Sequence, residues 1–158
     1  MAITTNAICN SFKKELLEAV HNFSNPGGNK FNLAMYISTA TLGKSTTSFT
    51  TSGQVTSPAG YTSGGKLLVN TGTSVSSSVA ITDFSDLSFT NVTLTARGAL
   101  IYNTSATNKA VCVLDFGGDK TATAGTFTIQ FPAFTTSASI LRISYFKGGP
   151  RWLLLLLF

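Results

Sequence analysis

The sequence predicts a mainly β protein: an antiparallel β-sandwich or barrel of about seven to eight strands with one N-terminal α-helix. Three observations carry this. Apolar and polar residues alternate at period two in run after run from Phe31 onward. Only one segment, near the N-terminus, has the three- and four-residue spacing of a helix. The charged content is 11%, against roughly 25% in ordinary soluble domains, and hydroxyl-bearing residues fill the difference. That is the surface of an all-β secreted, fibrous or shell protein, and an unusual one for a metabolic enzyme.

The helix is expected over 11–23, "SFKKELLEAVHNF". Phe12, Leu16, Ala19, Val20 and Phe23 make one apolar face, and Ser11 is the N-cap. "NPGGN" (25–29) ends it, since proline cannot continue a helix and the glycines turn the chain. "FNLAMYI" (31–37) alternates as a half-buried strand. A Thr/Ser/Gly loop follows to Gly65, then short strands at 66–70 and 77–81. In "DLSFTNVTLT" (86–95) the apolar phase slips between Phe89 and Val92, which predicts a bulge. "RGALIYN" (97–103) and "KAVCVLDF" (109–116) flank a hairpin loop, "TSATN". "FGGDKTATAG" is read as a turn before strands at 126–131 and 139–146. The expected organisation is an N-terminal arm (1–10), one domain (11–146) and a hydrophobic tail (147–158).

Net charge is +5, but the bases are scattered and only Lys13 and Lys14 adjoin, so no specific nucleic-acid interface is expected. Cys9 and Cys112 are too far apart in sequence to frame a disulfide scaffold or a zinc site. The N-terminus has neither a basic n-region nor a long apolar stretch, so no signal peptide is expected. No apolar run reaches the roughly 20 residues of a membrane span.

Chemistry finds little to work with. "GYTSGGKL" (60–67) approaches a P-loop, but Leu67 stands where the magnesium-binding Ser or Thr belongs and a strand follows instead of a helix. "DFGGDK" (115–120) begins like the metal-binding triplet of kinases and reads as a turn, with Asp115 ending a strand and Gly117-Gly118 supplying positive φ. His21, the single histidine, reads as a surface or boundary residue. Asp83 and Asp86 bring too few oxygens for calcium and read as turn residues. No catalytic residue, cofactor or metal is expected. The tail, with Trp152, Leu153, Leu155, Leu157 and Phe158, either exposes an interaction patch or folds back as an edge strand. Together with Phe12 and Leu16 on the helix, these residues are the candidate interface.

The order of the "GYT-GG" turn, the "TARGALIY" strand and the "LDFGGD" turn leading to "FTIQFP" resembles small virion structural proteins of tailed bacteriophages. The resemblance spans about residues 11–144 and stops before the tail. It implies a β-rich particle protein without enzyme activity, made in the host bacterial cytoplasm. The expected role is a capsid decoration (cement) protein on the capsid exterior. It would bind the major capsid protein as a homo-oligomer, with a trimer among the arrangements. A neck or tail adaptor, or fibre-attachment module, is the alternative. A receptor- or glycan-binding sandwich ranks below both, since only Phe49 and Tyr61 offer aromatics in the long loop.

Overall fold

The computed structural model describes residues 2–56, 60–145 and 154–157. Among the described residues, nine strands run in chain order: β1 (Ala7–Ile8), β2 (Phe31–Tyr36), β3 (Lys66–Leu67), β4 (Asn70–Ser76), β5 (Val79–Phe84), β6 (Leu87–Asn103), β7 (Lys109–Ile129), β8 (Leu141–Tyr145) and β9 (Leu154–Leu157). They form two antiparallel sheets, ordered β1-β7-β6-β2-β3 and β4-β5-β8-β9. The sheets pack together as expected of a sandwich. Phe31 of β2 meets Phe84 of β5 with ring centroids 5.7 Å apart, and Phe23 stacks on Phe31 at 4.5 Å.

The helix is shorter than its apolar spacing implies. α1 covers Asn10–Leu17, with Cys9 rather than Ser11 at the N-cap. Ala19 adopts φ 55°, which an α-helix does not allow, and residues 20–24 belong to neither helix nor strand. Phe12 and Phe23 therefore share one core from different backbone conformations, with centroids 6.1 Å apart. A three- and four-residue spacing cannot distinguish this arrangement from a continuous helix. Within the N-terminal stretch, residues 2–10 lie against the sheet. Ile3 is buried, and Ala7 and Ile8 pair with Val113 and Cys112 of β7.

β6 and β7 absorb four of the expected strands into two long ones. The predicted slip between Phe89 and Val92 is there, with Asn91 at φ 54°. The "TSATN" hairpin is there too, closed by a 3-10 turn at Thr104–Ala106 in which Asn103 Oδ1 accepts the Ser105 N–H. "FGGDKTATAG", however, does not turn the chain. It stays on β7, and the register passes from Ala96↔Lys120 to Gly98↔Asp115 across a bulge where Gly117 takes φ 71° and Gly118 does not take a positive φ. The expected strand at 66–70 is cut at Leu67, because Leu68 turns into the core and Asn70 begins β4 in the other sheet. Ser77 and Ser78, both at positive φ, make the two-residue turn between β4 and β5.

Core density concentrates where β6 and β7 are covered on both faces. Leu100, Ile101, Val111 and Val113 are fully buried. Leu100→Ala should destabilise the protein by about 2–5 kcal/mol in urea denaturation. Val75→Ala, at a side chain 73% exposed, should stay within about 0.5 kcal/mol of the parent. Equal effects at the two sites would contradict this packing.

Candidate functional site

The glycine-rich stretch at 60–67 is built for close packing. Gly65 has φ 76°, and a Cβ there would collide with the Leu33 carbonyl. Tyr61 is buried, and its hydroxyl accepts hydrogen bonds from the Met35 N–H and the Gln54 side-chain amide, each at 2.9 Å. Lys66 donates to the Ser88 carbonyl at 2.9 Å and lies over the Phe89 ring. Its ammonium fastens the loop to β6, and β3 follows rather than a helix.

His21 is the main departure from the sequence reading. Its side chain is fully buried, not at the surface. Nε2 lies 2.9 Å from Glu15 Oε2, and Nδ1 lies 3.0 Å from the Asn103 amide nitrogen. That amide nitrogen also donates to Asn29 Oδ1 at 2.9 Å. An amide nitrogen only donates, so Nδ1 is the acceptor and the Nε2–H donates to Glu15. Lys109 donates to the other Glu15 oxygen at 2.6 Å. Burial lowers the His21 pKa and outweighs the raising effect of Glu15. Burial alone would raise the Glu15 carboxyl, but Lys109 and His21 overcome it and hold it below the ordinary range. This cluster joins α1, the 22–29 loop, the end of β6 and the start of β7. Its hydrogen bonds tie these four elements together, and the cluster is a structural lock. Both cysteines are buried: burial, then Glu15, pushes Cys9 up to about 12, and burial raises Cys112 well above its ordinary value, which disfavours the thiolate.

The acids flanking Phe84 are clamps. Asp83 is buried and accepts the Phe84 and Ile140 N–H groups, at 2.9 and 3.2 Å. Burial raises its pKa against those hydrogen bonds. Asp86 accepts the Phe131 N–H at 2.8 Å. Both carboxylates thereby hold the 130–140 connection. Asp115 pairs with Arg97 at 3.1 Å and accepts the Gly117 N–H. Among the described residues, no three His, Cys, Asp or Glu side chains gather to hold a metal ion, and no helix is long and apolar enough to cross a membrane.

A groove of about 930 Å³ lies between β7 and the 130–140 connection. Leu114, Phe116, Phe127, Ile129, Phe131 and Ile140 line it, with Lys120 on its wall. Beside it runs the outer edge of β7, which β1 pairs only at Cys112 and Val113. Among the described residues no strand pairs with that edge beside the trough, and an apolar trough next to such an edge is suited to binding a polypeptide segment.

The nominated interface residues separate. Phe12 is 0% exposed and belongs to the core, so it is withdrawn from any partner. Leu16 is partly buried against that core, beside a small apolar slot of about 110 Å³. Leu155 and Leu157 lie in β9, whose backbone pairs with Ser144 and Arg142 of β8 as an edge strand. Trp152, Leu153 and Phe158 fall outside the described residues. The groove escaped the sequence reading because it depends on how far β7 outruns β1. Its only legible sign was the alternation of Phe127, Ile129 and Phe131.

Comparison with protein-family models, with curated proteins and with solved structures returns no match.

The lock makes stability depend on pH. The folded-state pKa of His21 lies below its unfolded value of 6.5, so its contribution is complete above that pH and is lost as pH falls below it. Glu15, also lowered, adds a second loss below about 4.5. Urea denaturation from pH 7.5 to 5 should show falling stability in the parent. His21→Gln should be weaker at pH 7.5 by about 1–3 kcal/mol and flat across that window. A parent with no pH dependence there would refute the buried neutral imidazole.

Proposed function

We propose that this chain is a structural protein of a tailed-bacteriophage particle. In this reading it is a capsid decoration (cement) protein that binds the assembled shell of the major capsid protein from outside. The observation that carries the reading is the apolar groove beside the outer edge of β7, a surface suited to a polypeptide partner. The hydroxyl-rich, weakly charged exterior fits a molecule packed between protein and water. The family resemblance in the "GYT-GG", "TARGALIY" and "LDFGGD" segments supplies the particle context.

The mechanism is linkage. A protein that binds the assembled shell and not its free subunits shifts the equilibrium toward assembly by its binding free energy. Several attachment points on one oligomer multiply this through effective concentration. The glycan-binding reading loses its support in the long loop. Tyr61 is buried there, and Phe49 is stacked on Tyr102 with centroids 4.7 Å apart.

Copy number tests the proposal against a place in the neck or tail. Purified particles should contain this chain at about one copy per one or few major capsid subunits, counted by quantitative mass spectrometry. Particles from which it is removed should disrupt at lower temperature. A content of a few per cent or less of the shell subunit would move the protein to the neck or tail. Absence from the particle would end the virion reading.

A further inference from the structure

The edge of β7 is not uniform. Bulges interrupt it around 116–119 and at Ala124, where φ is 46°. Bulges twist an edge away from further pairing, a common defence against unwanted strand addition. From Gly125 to Ile129 the strand carries no bulge of its own. Phe127, Thr128 and Ile129 pair in step with Phe89, Ser88 and Leu87 of β6, and the register slips by one before Gly125↔Val92, where the extra residue lies on β6. That undefended stretch borders the groove, with Phe127, Ile129, Phe131 and Ile140 beside it.

The same edge already accepts an extended segment at its other end. β1 pairs with Cys112 and Val113, and Asn6 Oδ1 takes the next outward N–H, that of Asp115, at 2.7 Å. The chain then leaves the edge, because Ile3 is drawn into the core against Gly98. The groove thus continues an existing mode of strand addition. It also has a charge preference. Of the two charged residues lining it, Asp115 is neutralised by Arg97, whereas Lys120 has no ion-pair partner among the described residues.

We infer that the groove at Gly125–Ile129 receives an extended segment of a shell subunit, added as a strand beside β7. Its alternate apolar side chains fill the trough, and a carboxylate beyond the paired residues, on the Gly125 side, meets Lys120 on the groove wall. About five residues can pair, or roughly 16 Å of strand at about 3.3 Å per residue. Main-chain hydrogen bonds hold the segment, and the apolar pockets together with Lys120 select it. The inference rests on the shell-binding reading and names the contact through which that binding occurs.

The test uses particles grown without this chain and the purified full chain added back. p-Benzoylphenylalanine in place of the exposed Gln130, on the groove wall, reports the occupant by photocrosslinking, and the same probe in place of Val75 is the control. The expected adduct joins position 130 to one continuous shell-subunit segment with alternating apolar residues and an acid. Ala138→Trp, which fills the groove from the 130–140 side, and Lys120→Glu should each bind particles about tenfold more weakly. Their thermal midpoints should match the parent. Val75→Ala should bind as the parent does. If the parent binds but position 130 yields no shell adduct and Ala138→Trp binds normally, the groove is not the contact. An adduct to a second copy of this chain would make the groove an oligomer interface and overturn the shell occupant. If the parent does not bind particles at all, the shell reading itself fails, a result distinct from the other two.

Discussion

The pairing of β6 with β7 is the constraint on which the rest of the molecule depends. It runs from Leu87↔Ile129 to Asn103↔Lys109, and the remaining strands of that sheet attach to its flanks. β2 lies along Gly98–Asn103, and β1 touches Cys112 and Val113. Where both neighbours are present, β6 and β7 are apolar at nearly every position and buried, as in "ALIY" and "AVCV". Beyond β1, β7 mixes small, hydroxyl and charged residues with Leu114, Phe116, Phe127 and Ile129 of the groove, and among the described residues no strand pairs with its outer edge there. One hairpin therefore supplies both the rigid core and the open surface.

Two polar clusters fix the pieces that the hairpin does not hold directly. Glu15, His21, Asn103, Asn29 and Lys109 tie the short helix to the closed end of the hairpin. Asp83 and Asp86 hold the 130–140 connection near its open end. Buried charge of this kind is costly unless every lone pair and proton finds a partner, and here the partners are present. The first cluster closes a seam. The second positions Phe131 and Ile140, which form the far wall of the groove.

Much of the fold could be read because period-two alternation survives wherever one sheet face is buried. The strand at 31–36, the bulge after Phe89 and the hairpin at 104–108 all follow from local pattern. What local pattern cannot express is competition between distant partners. Phe23 sits at helical spacing from Phe12, yet it reaches the core from a segment that is neither helix nor strand, beyond the break at Ala19. Gly117 and Gly118 have the composition of a turn, but cross-strand pairing with β6 carries β7 through them as a bulge. His21 looks like a boundary residue until Asn103, 82 positions away, supplies a donor to its ring. The site suffered the same limit, since Phe12 was nominated for the apolar helix face that the core consumes, and the groove appears only once the strand edges are known.

The defended and undefended parts of the β7 edge give the strongest argument that the groove is used. A bulge sacrifices ladder hydrogen bonds, and a glycine within a strand weakens it, so both cost stability. β7 carries both between Phe116 and Ala124, where an open edge would invite indiscriminate pairing. The trough runs along both the interrupted part of the edge, from Leu114 to Thr123, and the part from Gly125 to Ile129, where β7 carries no bulge of its own. An edge that only needed protection would be blunted along its whole length. An edge interrupted over one part of the trough, and without bulges of its own over the other, narrows strand addition to the Gly125–Ile129 end, which is what the proposed contact requires.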